Sequence, residues 1–167
     1  MAVATITETT QYLTFRLEAE LFALDIGKVR EVLDFTSITK VPQTPDYMRG
    51  VINLRGSVVP VMDLRLKFGM AMAEQTVNTC VIIVEVEMEG EKVIMGAMAD
   101  AVQEVLDLEP DQIEPPPRIG TKLNTDFIKG MGKQAEQFII ILDIDKVFST
   151  DDKEAARDLE GALAVNG

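Results

Sequence analysis

An internal repeat constrains the fold of this chain more than any other feature of its sequence. Residues 47–68 (YMRGVINLRGSVVPVMDLRLKF) align without a gap with residues 127–148 (FIKGMGKQAEQFIIILDIDKVF), 80 positions later. Residues 29–34 (VREVLD) align with residues 102–107 (VQEVLD) at an offset of 73. Chance similarity among valine- and isoleucine-rich strands is the alternative, but the order and spacing of the segments agree across both halves. The sequence therefore predicts a duplicated module.

Each copy predicts about five short strands and little helix. Residues 12–17 (YLTFRL) alternate apolar and polar side chains, as in a half-buried strand, whereas residues 81–86 and 138–142 are apolar runs typical of strands covered on both faces. Pro60 cannot donate a ladder hydrogen bond, which predicts an edge strand or a bulge. Gly130 and Gly132 predict a turn that needs positive φ.

Helices are expected at only a few places. Asp25 is a candidate N-cap for a short helix that extends to Val32, and Asp63 and Asp143 recur in both copies, which suggests a shared role such as capping. From residue 149, a Ser-Thr-Asp-Asp start and the i+4 spacing of Ala155, Leu159 and Leu163 predict a C-terminal helix.

These elements predict a mainly β fold with a pseudo-twofold internal repeat, short helices and a C-terminal helix. Five strands in each copy are enough to close a small β-barrel, and two barrels packed together would bury the remaining apolar faces. We expect one domain over residues 1–167, with a first barrel subdomain near residues 12–75, a second near 76–148 and a helical tail over 149–167.

The composition excludes several classes of function. A formal net charge of −12 disfavours binding to nucleic acid or anionic lipid. The chain has no histidine, which removes the commonest general base and metal ligand. Cys80 is the only cysteine, so no intramolecular disulfide can form, and its apolar neighbours predict a buried, inert thiol. No signal peptide or membrane span is recognised, which predicts a cytoplasmic protein.

No reactive constellation emerges from the motifs. The phosphate-binding glycine patterns are absent, and acidic pairs such as Glu85 with Glu87 or Asp143 with Asp145 are more typical of solvated surface than of a metal or catalytic site. We therefore expect no enzyme activity, no metal and no cofactor.

The segment Asn53-Leu54-Arg55-Gly56 stands out as a candidate binding site. Asn53 and Gly56 allow a tight turn between two strands. Arg55 beside apolar surface is typical of an interface contact, and a solvated turn arginine without a partner is the alternative. The aligned residues 133–136 of the second copy (KQAE) lack this motif, which suggests that the first copy is specialised.

With this segment in place, residues 12–148 resemble the CheW family of chemotaxis coupling proteins. The resemblance is carried by residues 24–26 (LDI), 29–32 (VREV), 41–45 (VPQTP), 50–56 (GVINLRG), 59–65 (VPVMDLR) and 127–132 (FIKGMG). It implies two SH3-like five-stranded barrels around a shared core. It also implies a non-enzymatic adaptor that couples transmembrane chemoreceptors to the histidine kinase CheA, in cytoplasmic arrays on the inner face of the membrane.

In that family a groove between the subdomains receives the helical tip of the receptor, and CheA contributes a regulatory domain of the same fold. Carried over by motif, the receptor- or kinase-binding residues expected here are Val29, Glu31, Gly50, Asn53, Leu54, Arg55, Gly56, Cys80 and Gly96. Glu31 and Arg55 are expected to pair in the empty groove. Glu114 and Ile119 depart from the family pattern in a loop associated with contacts to CheA or to other CheW copies.

Two other functions stay open at this point. A coupler of a parallel pathway, such as one controlling surface motility or biofilm formation, would use the same mechanism with different partners. A ligand-binding β-barrel would need a hollow interior, whereas runs such as residues 138–142 predict filled ones.

Overall fold

The structure is a computed structural model that describes residues 10–35, 38–42, 44–71, 74–115, 127–134, 137–149 and 151–154. Its strands are β1 Thr10–Leu17, β2 Glu20–Asp25, β3 Val29–Asp34, β4 Met48–Leu54, β5 Ser57–Asp63, β6 Cys80–Met88, β7 Glu91–Ala99, β8 Ala101–Leu108, β9 Ile113–Glu114, β10 Ile128–Gln134 and β11 Gln137–Leu142. The helices are α1 Leu64–Lys67 and α2 Ile144–Val147, and single 3₁₀ turns lie at Ile26–Lys28 and Pro110–Gln112. The predicted mainly β class is confirmed.

The strands form two sheets, and each sheet takes strands from both halves of the chain. Sheet A has the order β8-β1-β2-β11-β10-β9, and sheet B has the order β3-β6-β7-β5-β4. Within each sheet one contact is parallel, β2 with β11 and β5 with β7. A boundary between residues 75 and 76 therefore does not separate the sheets. Sheet B is built from strands within residues 29–99, and sheet A combines strands within residues 10–25 and 101–142.

The strands that each half contributes to the two sheets correspond to each other through the internal repeat. Read in order, β3-β6-β7-β5-β4 of sheet B match β8-β1-β2-β11-β10 of sheet A. Even the irregularities recur: the ladder shifts between Met48 and Gly50 in β4 and between Ile128 and Gly130 in β10, positions 80 apart. A sequence repeat specifies the elements of each half, but it does not reveal whether a hairpin pairs with its own half or with the other one.

The main hydrophobic core lies between the two sheets. Fully buried side chains from sheet A meet those of sheet B there, and an aromatic stack runs from Phe15 through Phe22 and Phe68 to Phe127, with centroids 5.8, 5.9 and 4.9 Å apart. Burying each large apolar side chain stabilises the fold by roughly 1.5–3 kcal/mol. The other face of each sheet is also covered by buried apolar side chains, among them Leu21, Ile139 and Ile141 in sheet A and Val61, Val81 and Ile83 in sheet B.

Asp63 and Asp143 cap the two short helices, as their recurrence predicted. Asp63 accepts hydrogen bonds from the backbone N–H groups of Arg65 and Leu66, and Asp143 accepts one from the N–H of Asp145. A side-chain acceptor at this position satisfies N–H groups that have no partner within the helix.

Three local expectations are wrong. Asp25 caps only the 3₁₀ turn, because residues 29–34 alternate half-buried and exposed side chains and pair with β6 as β3. The edge position expected for the strand with Pro60 is wrong, since the strand is interior, between β7 and β4, and its parallel pairing begins one residue later at Val61. The alternative of a bulge is close, because the ladder with β4 shifts between Val61 and Met62. Gly130 lies in β10 without positive φ, and glycine is needed there because a Cβ would lie 2.8 Å from the Ile113 side chain.

The predicted C-terminal helix is described only at its start. Residues 151–154 are helical, and the remainder of the expected tail, residues 155–167, lies outside the described residues. The SH3-like form of the two subdomains stays a prediction.

Candidate binding groove

The connection between β4 and β5 is a two-residue turn formed by Arg55 and Gly56. Both residues have positive φ, 52° and 89°, as a type I′ hairpin turn requires. The Asn53 side chain accepts a hydrogen bond from the Gly56 N–H at 2.8 Å. The predicted tight turn is confirmed, and it holds Arg55 in a backbone conformation that residues other than glycine seldom adopt.

Arg55 reaches from this turn to Glu31 in β3. Its Nη1 donates to Glu31 Oε1 at 3.3 Å and its Nη2 donates to Oε2, which makes the pair bidentate. Since β3 and β4 are the first and last strands of sheet B, the sheet curves until its two edges approach each other. The hydrogen bonds from Arg55 lower the pKa of the Glu31 carboxyl.

The ion pair is open to solvent. The Arg55 side chain is 72% exposed, and that of Glu31 is 29% exposed. Water screens such a pair, so its contribution to folding is small. Its main effect is to hold a cation and an anion in a defined arrangement at the surface.

The pair borders a groove of about 350 Å³. Its lining is Arg30, Glu31, Leu54, Arg55, Ser57, Val58, Val59, Ile83 and Ile94. The apolar members come from β4, β5, β6 and β7, and because Val59 and Ile83 are buried, polar and apolar groups share the exposed wall. A wall of mixed apolar and charged groups is typical of a site that recognises another protein.

A second charged group lies beside the groove. Arg30 donates a hydrogen bond to Glu85, and Lys92 lies 3.7 Å from the same carboxylate. The groove is therefore bordered by two arginines, Arg30 of β3 and Arg55 of the β4–β5 turn, and each is paired with a carboxylate.

The structure brings together only some of the residues expected at the site. Glu31, Leu54 and Arg55 line the groove, and Asn53 and Gly56 shape the turn that carries it. These five form one contiguous site.

The two remaining glycines lie within sheet B. Gly96 pairs with Ile83, which pairs with Glu31, so the three residues form one row across the sheet. A Cβ at Gly96 would lie 2.8 Å from the Val81 side chain. Gly50 has φ of +143°, and a Cβ there would lie 2.1 Å from the Thr39 carbonyl oxygen. Both glycines allow close packing at sheet B, Gly96 against Val81 and Gly50 against Thr39.

Val29 and Cys80 lie away from this groove. Val29 packs against the core between the sheets, and Cys80 belongs to that core with 6% of its surface exposed. Burial raises the pKa of the Cys80 thiol to about 11, so the protonated form is favoured at neutral pH. The prediction that the thiol is buried is confirmed, and its inertness stays a prediction.

Sequence reasoning did not single out several groove residues. Ser57 and Val58 directly follow the turn, and that proximity was a usable signal. Ile83 and Ile94 reach the groove only through the pairing of β6 with β3 and β7, which no local pattern reveals.

Within the part of the chain that the structure describes, no group of three or more acidic or cysteine side chains is placed to hold a metal ion. None of the described helices has the length and apolar character needed to cross a membrane.

Comparison with known proteins identifies the family. A model of the CheW-like domain matches residues 11–152. The chain belongs to the CheW family. The chemotaxis protein CheW of Klebsiella aerogenes is 37% identical over 142 residues, which cover 85% of this chain and 83% of the relative. The probable chemotaxis protein CheW of Rhizobium etli is 33% identical over 146 residues, covering 87% and 92%.

A solved CheW structure supports the same conclusion. The scaffolding protein TtCheW from Thermoanaerobacter tengcongensis matches with a TM-score of 0.76 and 39% identity, over 87% of this chain and 96% of that one. The resemblance to the CheW family seen in the sequence is confirmed.

Proposed function

We propose that this CheW-family protein couples transmembrane chemoreceptors to the histidine kinase CheA, without catalytic activity of its own, in cytoplasmic arrays at the inner face of the membrane. The observation that carries the proposal is the open groove beside the Glu31–Arg55 pair. Membership of the CheW family supports the chemotaxis setting.

The groove suits the tip of a helical receptor hairpin. Leu54, Val58 and Ile94 are partly exposed and offer apolar contact for one face of a helix, and burial of that face drives association. Glu31 and Arg55 supply charged groups that fix the register of the bound helix, because a bidentate guanidinium is directional.

The other expected site residues support the groove in different ways. Asn53 and Gly56 set the turn, Gly50 and Gly96 allow close packing, and Val29 and Cys80 belong to the core side of the same sheet. Their substitution is expected to act through the position of the groove wall.

Contacts to the CheA regulatory domain and to other CheW copies are the second part of the proposal. Glu114, which departs from the family pattern, forms a 2.6 Å ion pair with Lys133. Both side chains are about half exposed, 50% and 53%. A charged group on a partner protein would compete with Lys133 for Glu114, or with Glu114 for Lys133. Ile119, the other residue that departs from the family pattern, lies outside the described residues.

The test is a reconstitution of a receptor cytoplasmic fragment with CheA, in which kinase activity is measured with and without this protein. Receptor control of CheA is expected only when the protein is present. The Arg55→Asp variant is expected to weaken binding to receptor or kinase by about tenfold or more, which is the range of an important interface residue.

Lys146→Asp provides the matched control, because it reverses the same charge at an exposed position away from the groove. Lys146 lies on α2, which follows β11 of sheet A in the chain. Circular dichroism should show that both variants fold. Kinase activity that is identical with and without the protein would sink the adaptor proposal. Normal binding by Arg55→Asp would remove only Arg55 from the site.

A further inference from the structure

Two charged clusters lie at the places where the chain passes from one sheet to the other. In the first, Arg65 of α1 donates from Nε to Asp100 Oδ1 at 2.8 Å. The backbone N–H of Glu18, in the β1–β2 turn, donates to Asp100 Oδ2 at 2.7 Å. Asp100 is the single residue between β7 of sheet B and β8 of sheet A.

The second cluster involves Asp145 of α2. Lys28 Nζ lies 3.1 Å from Asp145 Oδ2, and the N–H of Glu87, near the end of β6, donates to Asp145 Oδ1 at 2.8 Å. Lys28 lies in the link between β2 of sheet A and β3 of sheet B. The side chains of both ion pairs are 15–37% exposed, so they are partly shielded from water.

The two clusters occupy corresponding places in the two halves, with Asp100 aligned one residue before Lys28, and they are opposite in charge. Arg65 and Asp145 are both the second residue of a short helix that follows a capping aspartate. Asp100 and Lys28 both lie between a hairpin and the edge strand that follows it. The helix is cationic and the link anionic in one cluster, and the reverse holds in the other.

This reversal distinguishes two ways in which the repeated halves can pair. In the observed fold, the hairpin β6–β7 lies beside β5, and β1–β2 lies beside β11, so each helix meets the link of the other half. If each hairpin instead paired with its own half, the repeat would place Arg65 beside Lys28 and Asp145 beside Asp100. Like charges would then meet at both crossings.

We propose that the charge reversal between the Arg65–Asp100 and Lys28–Asp145 pairs selects the exchanged strand order over the self-paired one. The hydrophobic pattern alone distinguishes the exchanged order only weakly from the self-paired one, because equivalent strands of the two halves carry similar apolar faces. Opposite charges stabilise the observed docking, and like charges disfavour the alternative, which is how specificity against a near-equivalent structure is commonly achieved.

The test removes the discrimination and keeps the native attraction. In Arg65→Asp/Asp100→Lys, both native pairs still have opposite charges and the first cluster takes the polarity of the second, although the Arg65–Glu18 ion pair and the hydrogen bond from the Glu18 N–H to Asp100 are lost. Self-pairing would then bring the new aspartate at position 65 to Lys28, and Asp145 to the new lysine at position 100, so both contacts would attract. Lys28→Asp/Asp145→Arg gives the second cluster the polarity of the first, with the same consequence and with loss of the hydrogen bond from the Glu87 N–H to Asp145.

The control is the combination of all four substitutions. It reverses both clusters, so the native pairs attract and the self-paired contacts repel, as in the parent. Fluorescent labels on cysteines placed at Ala19 and Gln137 report native docking, because these exposed positions flank the β2–β11 contact. Energy transfer is followed during refolding from denaturant, and light scattering detects dimers in which hairpins exchange between chains.

In each double variant, two contacts of the self-paired form change from repulsion to attraction. With each interaction worth about a twofold to threefold factor, the proportion of molecules that first dock wrongly should rise about 30-fold. The quadruple variant should return to the parental proportion. Parental refolding in both double variants would overturn the proposal. Failure of the quadruple variant to rescue would also overturn it, because it would show that the substitutions act only by local damage.

Discussion

The hydroxyl of Tyr47 lies 2.6 Å from the carboxylate of Asp152, although 105 positions separate them in the chain. Asp152 also accepts hydrogen bonds from Lys67 Nζ at 2.7 Å and from the Ser149 N–H at 3.0 Å, and only 5% of the residue is exposed. Lys67 in turn lies 4.1 Å from the centre of the Tyr47 ring. One buried carboxylate therefore holds the start of the C-terminal segment against α1 and the residue that precedes β4.

Replacing Asp152 with asparagine should lower the free energy of unfolding by about 2 kcal/mol, because the buried site loses the charge that pairs with the partly buried ammonium of Lys67. Burial raises the pKa of the Asp152 carboxyl, but the hydrogen bonds from Lys67 and Tyr47 outweigh burial, and the net pKa is lowered. The carboxylate therefore stabilises the fold above its ordinary pKa, and this stability is lost as pH falls through the lowered value.

Chemical denaturation at a series of pH values checks this prediction. The difference between the parent and Asp152→Asn should be full at neutral pH and shrink in strong acid. Asp151→Asn is the control, since Asp151 is exposed and adjacent. A difference that does not change with pH would show that the carboxylate charge is irrelevant.

Tyr47 should titrate far above its ordinary range. Burial and the hydrogen bond to Asp152 raise its pKa to about 12. The protonated phenol is favoured in the folded state, so its stabilising effect is present below about pH 10 and is lost as pH rises toward 12. Spectrophotometric titration of tyrosinate absorbance checks this, and Tyr47→Phe should remove one transition and leave that of Tyr12. An ordinary pKa for Tyr47 would contradict the described hydrogen bond.

Much of this fold follows from the sequence, and the parts that do not have physical reasons. The repeat, the two capping aspartates and the Asn53–Gly56 turn each depend on local chemistry, so they could be recognised. The exchange of hairpins depends on contacts between Arg65 and Asp100 and between Lys28 and Asp145, residues that are distant in the chain. The alternation in β3 competed with a capped helical pattern, and pairing with β6 decided the outcome.

Some residues of the groove were likewise predicted from the sequence, and others were not. The resemblance to CheW indicated Glu31 and Arg55, and their ion pair was predicted. Cys80 came from the same resemblance, but its side chain faces the core between the sheets. Ile83 and Ile94 reach the groove through strand pairing alone, and a single sequence carries no signal for that contact.

Cys80 should resist thiol reagents in the folded protein. Burial raises its pKa to about 11, and thiol reagents attack the thiolate, so both access and ionisation oppose labelling at neutral pH. We expect labelling to be at least about 100-fold slower than for an unfolded chain and to accelerate with denaturant. Rapid labelling without denaturant would show that the core between the sheets opens readily.

Gly50 and Gly56 both have positive φ, but they should respond differently to alanine. A Cβ at Gly50 would meet the Thr39 backbone at 2.1 Å, whereas a Cβ at Gly56 has open space around it. We expect Gly50→Ala to lower the free energy of unfolding by more than about 3 kcal/mol, and Gly56→Ala by about 1 kcal/mol from backbone strain alone. Thermal or chemical denaturation measures both. Equal losses would show that the close approach of Thr39 does not matter.

Arg55 should be expendable for folding and important for binding. Its φ of 52° suits asparagine better than arginine, because asparagine followed by glycine is a preferred pair for a type I′ turn. Arg55→Asn is therefore expected to keep or slightly raise the free energy of unfolding, while binding to receptor or kinase weakens by about tenfold.

A double variant separates the two roles that Arg55 can have in binding. Glu31→Arg/Arg55→Glu restores an ion pair across the groove with its polarity reversed. Binding that stays weak means that a partner contacts the guanidinium at the turn, since the arrangement of the groove is preserved. Binding that recovers means that the pair acts by holding β3 against the β4–β5 turn. Binding that never weakens in Arg55→Asn excludes both roles and would move the partner surface away from this groove.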